Sequence, residues 1–364
     1  MKLIDLMDTK RKRITLIAVA IVAVVVIALA LYMLLSKDAP TAIEVSSPWP
    51  VADVERVVAR PAGPPVWPLT GTAAPSADAP IELRIVSVKI ENSPAARPQS
   101  GLQSADIVYE SITEGGITRF NAMFHSQVPE TVGNVRSARL SDVDIVPQYH
   151  ALFAFSGANG QVNSQIRNAG IENLSEDAGV RSGYTRSSSR AAPHNLYLDL
   201  AKMREEALRR KMTATQTVAP LAFGPKSVEA SVPISYVKVP FSPANTVEWT
   251  YDADRDVYVR VNNGSVHTDA LTGEQISARN VVVLWAKMTT ASRRDSAGSS
   301  TYDIELVGSN RCSVFRNGTR LDGTWNATAD KPPVFKAEDG TVIRLAPGNT
   351  WFQVVPTNVN ITMR

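Results

Sequence analysis

The most apolar stretch of the chain lies close to its N-terminus. Residues 14–35 form an unbroken run of 22 uncharged, mostly apolar side chains. As a helix this run would span roughly 33 Å, against about 30 Å for the hydrocarbon core of a bilayer. A basic tetrad, residues 10–13, precedes it, whereas one lysine followed by an aspartate flanks the other end. Since cationic loops stay in the cytoplasm, the pattern predicts a single-pass transmembrane helix, with residues 1–13 as a cytoplasmic tail and the bulk of the chain outside the membrane.

A cleavable signal peptide is the alternative interpretation of this segment. Its apolar region usually spans only about 7 to 15 residues before a small-x-small site, and Ala28 to Ala30 formally fit such a site. The apolar run continues through Leu35, where a cleavage region would normally be polar, so we favour an uncleaved anchor. A lipid anchor would need a cysteine just after the run, but the only cysteine is Cys312.

Hydrophobic patterning divides the rest of the chain into a linker and two domains. Residues 36–79 are rich in Pro, Ala, Ser and Thr, a composition that favours extended, solvated backbone and predicts a spacer. Residues 80–212 mix strand patterns with helical ones, which favours an α+β or α/β domain. Residues 213–364 contain short strands separated by turns such as Asn317-Gly318, which favours a mainly-β barrel or sandwich.

Individual elements can be predicted within residues 80–212. An alternating pattern predicts a strand near its start, and two apolar segments joined by Glu114-Gly115-Gly116 predict a hairpin. An apolar stripe with charges opposite it predicts a helix at the end of the domain. The predicted strands are residues 81–90, 105–112, 117–124 and 151–155, and the predicted helices are residues 139–150, 161–168 and 196–212.

Charge separates the N-terminal tail from the rest of the chain. The formal net charge is +3, and residues 1–13 account for all of it with five basic and two acidic side chains. The remainder is neutral and so has no electrostatic footprint for nucleic acid. Roughly 280 residues remain to fold, enough for two domains with cores of their own. A single cysteine excludes an intramolecular disulfide.

Polar side chains between the apolar strands of the first domain are the candidates for a site. An arginine guanidinium is a planar donor fork suited to carboxylate or phosphate, so several arginines with two glutamates would suit an anionic ligand of the cell envelope. The simpler interpretation is that these are surface charges and ion pairs between strands. The candidate ligand-binding residues are Asn92, Arg97, Glu110, Glu114, Arg119, Arg136, Arg139, His194 and Asn195.

Motifs for established chemistries are missing from the sequence. It has no zinc-ligand spacing, phosphate-binding glycine loop, nucleophile elbow or catalytic Cys/His pair. We therefore predict no metal or cofactor, assign no catalytic residue and favour a protein that is not an enzyme. The leading hypothesis is a non-catalytic envelope protein that binds a cell-wall polymer or lipid-linked anion, or an envelope protein partner. One alternative is a hydrolase or transferase acting on wall polymers, with Glu110 or Glu114 as acid or base. Another is a scaffold for membrane-bound synthases.

Nine segments of the chain form a recognisable set: WPLTG (67–71), KIENSPAARPQSGLQSADIVYE (89–110), EGGITRF (114–120), GNVRSAR (133–139), APHNLY (192–197), WTYD (249–252), ARNVVV (278–283), FRNGTRLDGTW (315–325) and LAPGNTWFQVVP (345–356). Together they resemble the YerB-like family of bacterial envelope proteins. The resemblance implies two domains and a location in the cell envelope, often through a lipid anchor, but no function, because the family has none assigned. This chain departs from the family in lacking a cysteine for lipidation and in carrying a predicted transmembrane helix instead. The candidate residues above lie inside the family motifs, which assigns them no roles.

Overall fold

The fold is known from a computed structural model that describes residues 64–364, except residues 226–230 and 295–299. The predicted cytoplasmic tail, the transmembrane helix at residues 14–35 and most of the predicted linker lie outside the described residues. Among the helices of the described part, none is long and apolar enough to cross a bilayer.

Folded structure begins before the predicted domain boundary at residue 80. The side chains of Trp67 and Leu69 are buried, and Val66 forms a β-bridge with Ala73. The proline-rich composition predicted a solvated spacer over this stretch. Burial of a tryptophan and a leucine outweighs that preference, because each side chain gains roughly 1.5–3 kcal/mol from leaving water.

The described chain is mostly β-structure with few helices. Three α-helices occur in it, all in the N-terminal half: α1 (Leu140–Gln148), α2 (Gly160–Asn168) and α3 (Leu200–Arg209). The strands are β1 (Val86–Glu91), β2 (Ile107–Ile112), β3 (Thr118–Phe124), β4 (Val132–Gly133), β5 (Leu152–Ala154), β6 (Tyr184–Arg186), β7 (Leu196–Leu198), β8 (Val232–Pro233), β9 (Tyr236–Ser242), β10 (Asn245–Asp252), β11 (Val257–Asn262), β12 (Ser265–Val266), β13 (Ser277–Ala278), β14 (Asn280–Ala286), β15 (Met288–Arg294), β16 (Ser300–Ile304), β17 (Gly308–Arg316), β18 (Thr319–Thr328), β19 (Lys331–Lys336), β20 (Thr350–Pro356) and β21 (Thr362–Met363).

One large sheet joins the two halves of the chain. Its strand order is β19-β18-β17-β14-β20-β2-β3-β1-β5, with β8 paired to β18. Strand β20 from the C-terminal half pairs in parallel with both β14 and β2. Strands β1, β2 and β3 are buried along their whole length, as expected for strands covered on both faces.

Each face of this sheet carries its own hydrophobic core. On one face, residues of the sheet such as Val88 and Trp351 pack with Trp249 and Tyr258 from a second sheet of order β12-β11-β10-β9-β21. On the other face, Tyr109 and other sheet residues pack with side chains of α1 and α2. Trp249 and Trp351 are therefore core residues.

Most of the predicted elements are confirmed, and two begin later than predicted. The strand predicted at residues 81–90 begins only at Val86, because residues 81–82 form a turn and Leu83 makes only an isolated bridge to Thr215. The hairpin of β2 and β3 forms around Glu114, and α1 and α2 lie where the pattern placed them. The predicted helix at residues 196–212 begins only at Leu200, because Leu196–Leu198 pairs as strand β7 with β4 and β6. Asp199 marks the boundary, since its carboxylate accepts a hydrogen bond from the Lys202 N–H and caps the helix.

Candidate functional site

The candidate residues on β1, β2 and β3 divide between the two faces of the large sheet. Glu91 of β1 lies directly opposite Arg119 of β3, so these two side chains share one face. Glu110 of β2 lies opposite Phe120, which places it on the other face, because successive residues of a strand point to opposite sides. The sequence predicted one site, whereas the structure contains two separate groups of charged residues.

The first group is the partly exposed cluster, built at the ends of β1 and β3. Glu91 is buried, and its Oε2 atom contacts Arg136 Nε at 3.2 Å and His194 Nδ1 at 2.9 Å. Ser93 donates a hydrogen bond to the other carboxylate oxygen at 2.8 Å. The side chains of Arg136 and His194 remain 26% and 27% exposed. A single buried carboxylate therefore holds two side chains that reach the surface.

Glu114 organises the other half of the partly exposed cluster. Its carboxylate accepts from Arg139 Nη2 at 2.6 Å and lies 4.0 Å from Arg119 Nη2. Arg139 also donates to the carbonyl groups of Ser137 and Ala138. The cluster is defined as Glu91, Glu114, Arg119, Arg136, Arg139 and His194.

Backbone pairing and one buried ion pair position the loop that carries Arg136 and Arg139. The Arg136 N–H donates to the Lys89 carbonyl at 2.9 Å, which extends the edge of β1. Asp142, in the first turn of α1, accepts from the Arg139 N–H at 2.7 Å and pairs with Lys89 Nζ at 2.7 Å, fully buried. Burial lowers the pKa of Lys89. The loop is thus attached to the sheet at both ends.

The cluster carries an excess of positive charge, with three arginines against two glutamates. Burial, and after it the neighbouring charge of Arg139, lowers the pKa of Arg119 to about 9, so Arg119 still places a cation beneath the surface at neutral pH. Within the described residues, the terminal nitrogens of Arg136 have no hydrogen-bond partner, whereas both terminal nitrogens of Arg139 have one. Arg136 is therefore the arginine of this cluster whose guanidinium is free to contact a ligand.

The second group is the Arg260 network, which lies between β2 and the second sheet. Arg260 and Glu110 form an ion pair of 2.9 Å in which both side chains are 0% exposed. The Arg260 guanidinium lies over Trp351 at 4.8 Å and Trp249 at 5.2 Å from the ring centroids, which adds cation–π contacts. The network is defined as Asn92, Arg97, Gln99, Glu110, Thr118, Asn245, Arg260, Asn262 and His267.

The hydrogen bonds of the network determine the protonation of His267. Arg260 Nε is a donor only, so His267 Nδ1, at 2.9 Å, must accept. His267 Nε2 then carries the proton and donates to Gln99 Oε1 at 2.7 Å. Burial, and next the charges of Arg260 and Arg97, hold the pKa of His267 well below its usual value. Because this histidine is neutral, buried and hydrogen-bonded within an ion-pair network, we interpret the network as one that stabilises the fold.

The remaining candidates fall outside the partly exposed cluster. Arg97 donates to the Asn92 side chain at 2.9 Å and lines a cavity of about 290 Å³ beside the Arg260 network. Asn195 follows His194 in sequence but accepts from Arg186 at 3.1 Å, and Arg186 in turn pairs with Glu176. The structure therefore brings together five of the nine candidates: Glu114, Arg119, Arg136, Arg139 and His194. The other four lie elsewhere: Asn92, Arg97, Glu110 and Asn195.

The placement of Glu110 bears on the hypothesis of a wall-polymer hydrolase. That hypothesis made Glu110 or Glu114 an acid or base beside the arginines. Glu110 is sealed against Arg260 on the opposite face of the sheet from Arg119, so it cannot serve with them. Glu114 does contact the arginines, with both of its oxygens occupied by Arg139.

Sequence reasoning missed two residues that organise these groups. Glu91 was not a candidate, although the alternation of Ser87, Lys89 and Glu91 with apolar residues along β1 signals a polar face. Arg260 lies in a strand whose neighbours are apolar, and no local pattern distinguishes it from a surface charge. No group of His, Cys, Asp and Glu side chains suited to hold a metal occurs in the described part of the chain.

Comparison with known proteins places the chain in a family. Residues 69–213 match the N-terminal domain, and residues 237–352 the C-terminal domain, of a family described as "Protein of unknown function (DUF3048)". The chain is also 30% identical over 278 residues to "Putative lipoprotein YerB" of Bacillus subtilis (strain 168), across 76% of this chain and 82% of that protein. The chain belongs to the YerB-like family.

A solved structure of a YerB-like protein supports the fold. The crystal structure of YerB from Bacillus subtilis is similar to this chain with a TM-score of 0.73 and 30% identity, covering 82% of this chain and 99% of the solved one. The predicted family and its two-domain organisation are thus confirmed. The description of YerB as a lipoprotein fits an envelope protein, and the YerB-like family remains one of unknown function.

Proposed function

We propose that this protein is a membrane-anchored, extracytoplasmic envelope protein that binds an anionic cell-wall or lipid-linked ligand through the partly exposed cluster. The observation that carries the proposal is the state of Arg136. Its side chain reaches the surface, its Nε forms an ion-pair contact of 3.2 Å with buried Glu91, and its terminal nitrogens have no hydrogen-bond partner in the described residues. A guanidinium fixed in this way is prepared for bidentate contact with a carboxylate or phosphate.

The surroundings of Arg136 favour an anion over a cation. The buried charge of Arg119 and the half-buried charge of Arg139 lie close by, and the two glutamates leave one positive charge in excess. Both glutamates are more than 90% buried and are already paired with arginines, so they present no free carboxylate to a cationic ligand. An anion that reaches Arg136 replaces water on a partly desolvated cation, where charge-assisted hydrogen bonds contribute about 1.5–3 kcal/mol each.

The envelope location rests on the N-terminal sequence and on the relative. A run of 22 apolar residues behind a basic tetrad supports an uncleaved anchor with the folded part outside, and the relative is described as a lipoprotein. Mass spectrometry of the protein from a membrane fraction tests the anchor. Peptides from residues 1–13 are expected; a mature N-terminus after Ala30 would overturn the uncleaved anchor.

Binding can be tested on the full-length protein in lipid nanodiscs. The probes are a disaccharide muropeptide, which carries free carboxylates, and a short-chain polyprenyl phosphate, each titrated by isothermal calorimetry. We expect at least one probe to bind, and Arg136→Ala to weaken it by roughly 10- to 100-fold, the equivalent of one or two charge-assisted contacts.

The control for this titration is another arginine on the surface. Arg181 is exposed and lies outside the partly exposed cluster, so Arg181→Ala removes the same charge elsewhere. Its affinity should stay within about twofold of the unmodified protein. Equal losses in both variants, or no binding of either probe, would overturn the proposed function.

A further inference from the structure

The contact of His194 with Glu91 determines which ring nitrogen of the neutral imidazole carries the proton. His194 Nδ1 lies 2.9 Å from Glu91 Oε2, and a carboxylate can only accept, so Nδ1 carries the proton. In the neutral imidazole, Nε2 is then a hydrogen-bond acceptor. Within the part of the chain that the structure describes, this Nε2 has no partner.

Glu91 also places this acceptor next to the free guanidinium. Arg136 Nε and His194 Nδ1 contact the same oxygen, Glu91 Oε2, at 3.2 Å and 2.9 Å. Both side chains are about a quarter exposed, so the donor groups of Arg136 and the acceptor Nε2 of His194 lie near each other at the surface. The backbone of His194 is fixed as well, since its carbonyl accepts from the Asn134 side chain and its N–H donates to Ala191.

A simple anion would use only half of this arrangement. Phosphate dianion or a plain carboxylate offers acceptors, which match Arg136 but repel the lone pair of His194 Nε2. A ligand that satisfies both needs a hydrogen-bond donor a few bonds from its anionic group. A hydroxyl is the donor that sugars and polyols carry in that position.

We propose that the ligand is a hydroxyl-bearing anion, a sugar or polyol phosphate or carboxylate, whose anionic group contacts Arg136 and whose hydroxyl donates to His194 Nε2. The inference rests on the proposed function and names the ligand class of the same site. Sites built to hydrogen-bond a hydroxyl discriminate against analogues that lack it, because a polar group of the site is then left unpaired.

Matched pairs of small anions test this proposal. The full-length protein is titrated with 2-hydroxyethyl phosphate against ethyl phosphate, and with lactate against propionate, since each pair differs by one hydroxyl at constant charge. We expect the hydroxylated member of at least one pair to bind about 5- to 20-fold tighter. In His194→Phe, which keeps a ring without nitrogen, this preference should fall below about twofold.

The tautomer of His194 gives a second test, because it can be measured without measuring ligand affinity. Long-range proton–nitrogen NMR of the unliganded protein should show the Nδ1–H tautomer for His194, and the hydroxylated anion should shift the Nε2 resonance more than its partner does. An Nε2–H tautomer would overturn the proposal. If His194→Phe does not fold, His194→Ala takes its place.

The outcomes separate this inference from the proposed function. If both members of each pair bind equally in the unmodified protein, the hydroxyl proposal is wrong and anion binding stands. If the preference for the hydroxylated anion persists in His194→Phe, another residue accepts the hydrogen bond from the hydroxyl, and the role proposed for His194 is wrong. If neither these anions nor the muropeptide and polyprenyl phosphate bind, the proposed function fails and this inference with it.

Discussion

Arginine, glutamate and histidine side chains form a group on each face of the large sheet, but the two groups differ in their exposure to solvent. On one face, Arg260 and Glu110 are fully buried. Arg260 Nε donates to a neutral histidine, and Asn92 and Thr118 donate to Glu110 Oε1. On the other, Arg136 and His194 are held by buried Glu91 but keep about a quarter of their side chains exposed. The difference shows that an Arg–Glu pair becomes a candidate site only where the arginine keeps unused donors at the surface.

The burial of the two groups also predicts different responses to mutation. When one partner of a buried ion pair is removed, the other is left as an uncompensated buried charge. When one partner of a partly exposed pair is removed, water can solvate the remaining charge. Stability should therefore depend on the Arg260 network, and ligand affinity on the partly exposed cluster.

The largest expected effect is at Arg260. Arg260→Met should lower the free energy of unfolding by about 3–5 kcal/mol, because it leaves the Glu110 carboxylate buried without its cation. Urea denaturation followed by tryptophan fluorescence measures this, since Trp249 and Trp351 lie beside the guanidinium.

A double variant separates the ion pair from packing at this position. Arg260→Met combined with Glu110→Leu removes both charges, so it should recover part of the loss. A loss below about 1 kcal/mol in Arg260→Met alone would contradict the view that this network is structural.

The next effect is the pH dependence set by His267. Its pKa is depressed in the folded protein by burial and by Arg260, so the folded state binds fewer protons than the unfolded state below about pH 6.5. Above that pH, His267 is neutral in both states and its hydrogen bonds stabilise the fold fully. Below it, the free energy of unfolding should fall by up to about 1.4 kcal/mol per pH unit.

The variant His267→Asn tests this pH dependence by denaturation at a series of pH values. It should be less stable at pH 7.5 by about 1–3 kcal/mol through its lost hydrogen bonds, and the difference should narrow as the pH falls. His150→Asn makes the same change at an exposed position. A constant difference between His267→Asn and the unmodified protein at every pH would contradict the prediction.

A smaller change in stability is expected at Arg136. Because its pair with Glu91 is partly exposed and Glu91 keeps Ser93 and His194 as partners, Arg136→Ala should change the free energy of unfolding by less than about 1 kcal/mol. The same denaturation assay measures it. Loss of several kcal/mol would mean that Arg136, like Arg260, is a structural residue.

The smallest effect is expected at a fully solvated ion pair. Lys287 and Glu305 lie 2.6 Å apart with side chains 64% and 54% exposed. Lys287→Ala should change stability by about 0.5 kcal/mol or less at physiological salt. A change as large as that of Arg260→Met would show that burial does not separate the pairs of this protein.

Local pattern alone determined much of the fold. Runs of apolar residues and turn signals predict the hairpin of β2 and β3 and the helices α1 and α2. These signals depend only on residues that are close in sequence. The Asn317-Gly318 turn was predictable because both residues must adopt positive φ, and they do so at 49° and 64°. The family, too, could be recognised from its motifs.

Only the tertiary structure decided which charged residues belong together. Glu110 and Glu114 are four residues apart, yet one is sealed by Arg260 from the other half of the chain and the other meets Arg139 at the start of α1. The second sheet, which carries Arg260 on β11, covers this face of β2 and so brings Arg260 onto Glu110. Sequence patterns report which face of a strand is polar, but not which distant strand covers it, because that contact joins residues separated by more than a hundred positions and is set by packing of the whole sheet.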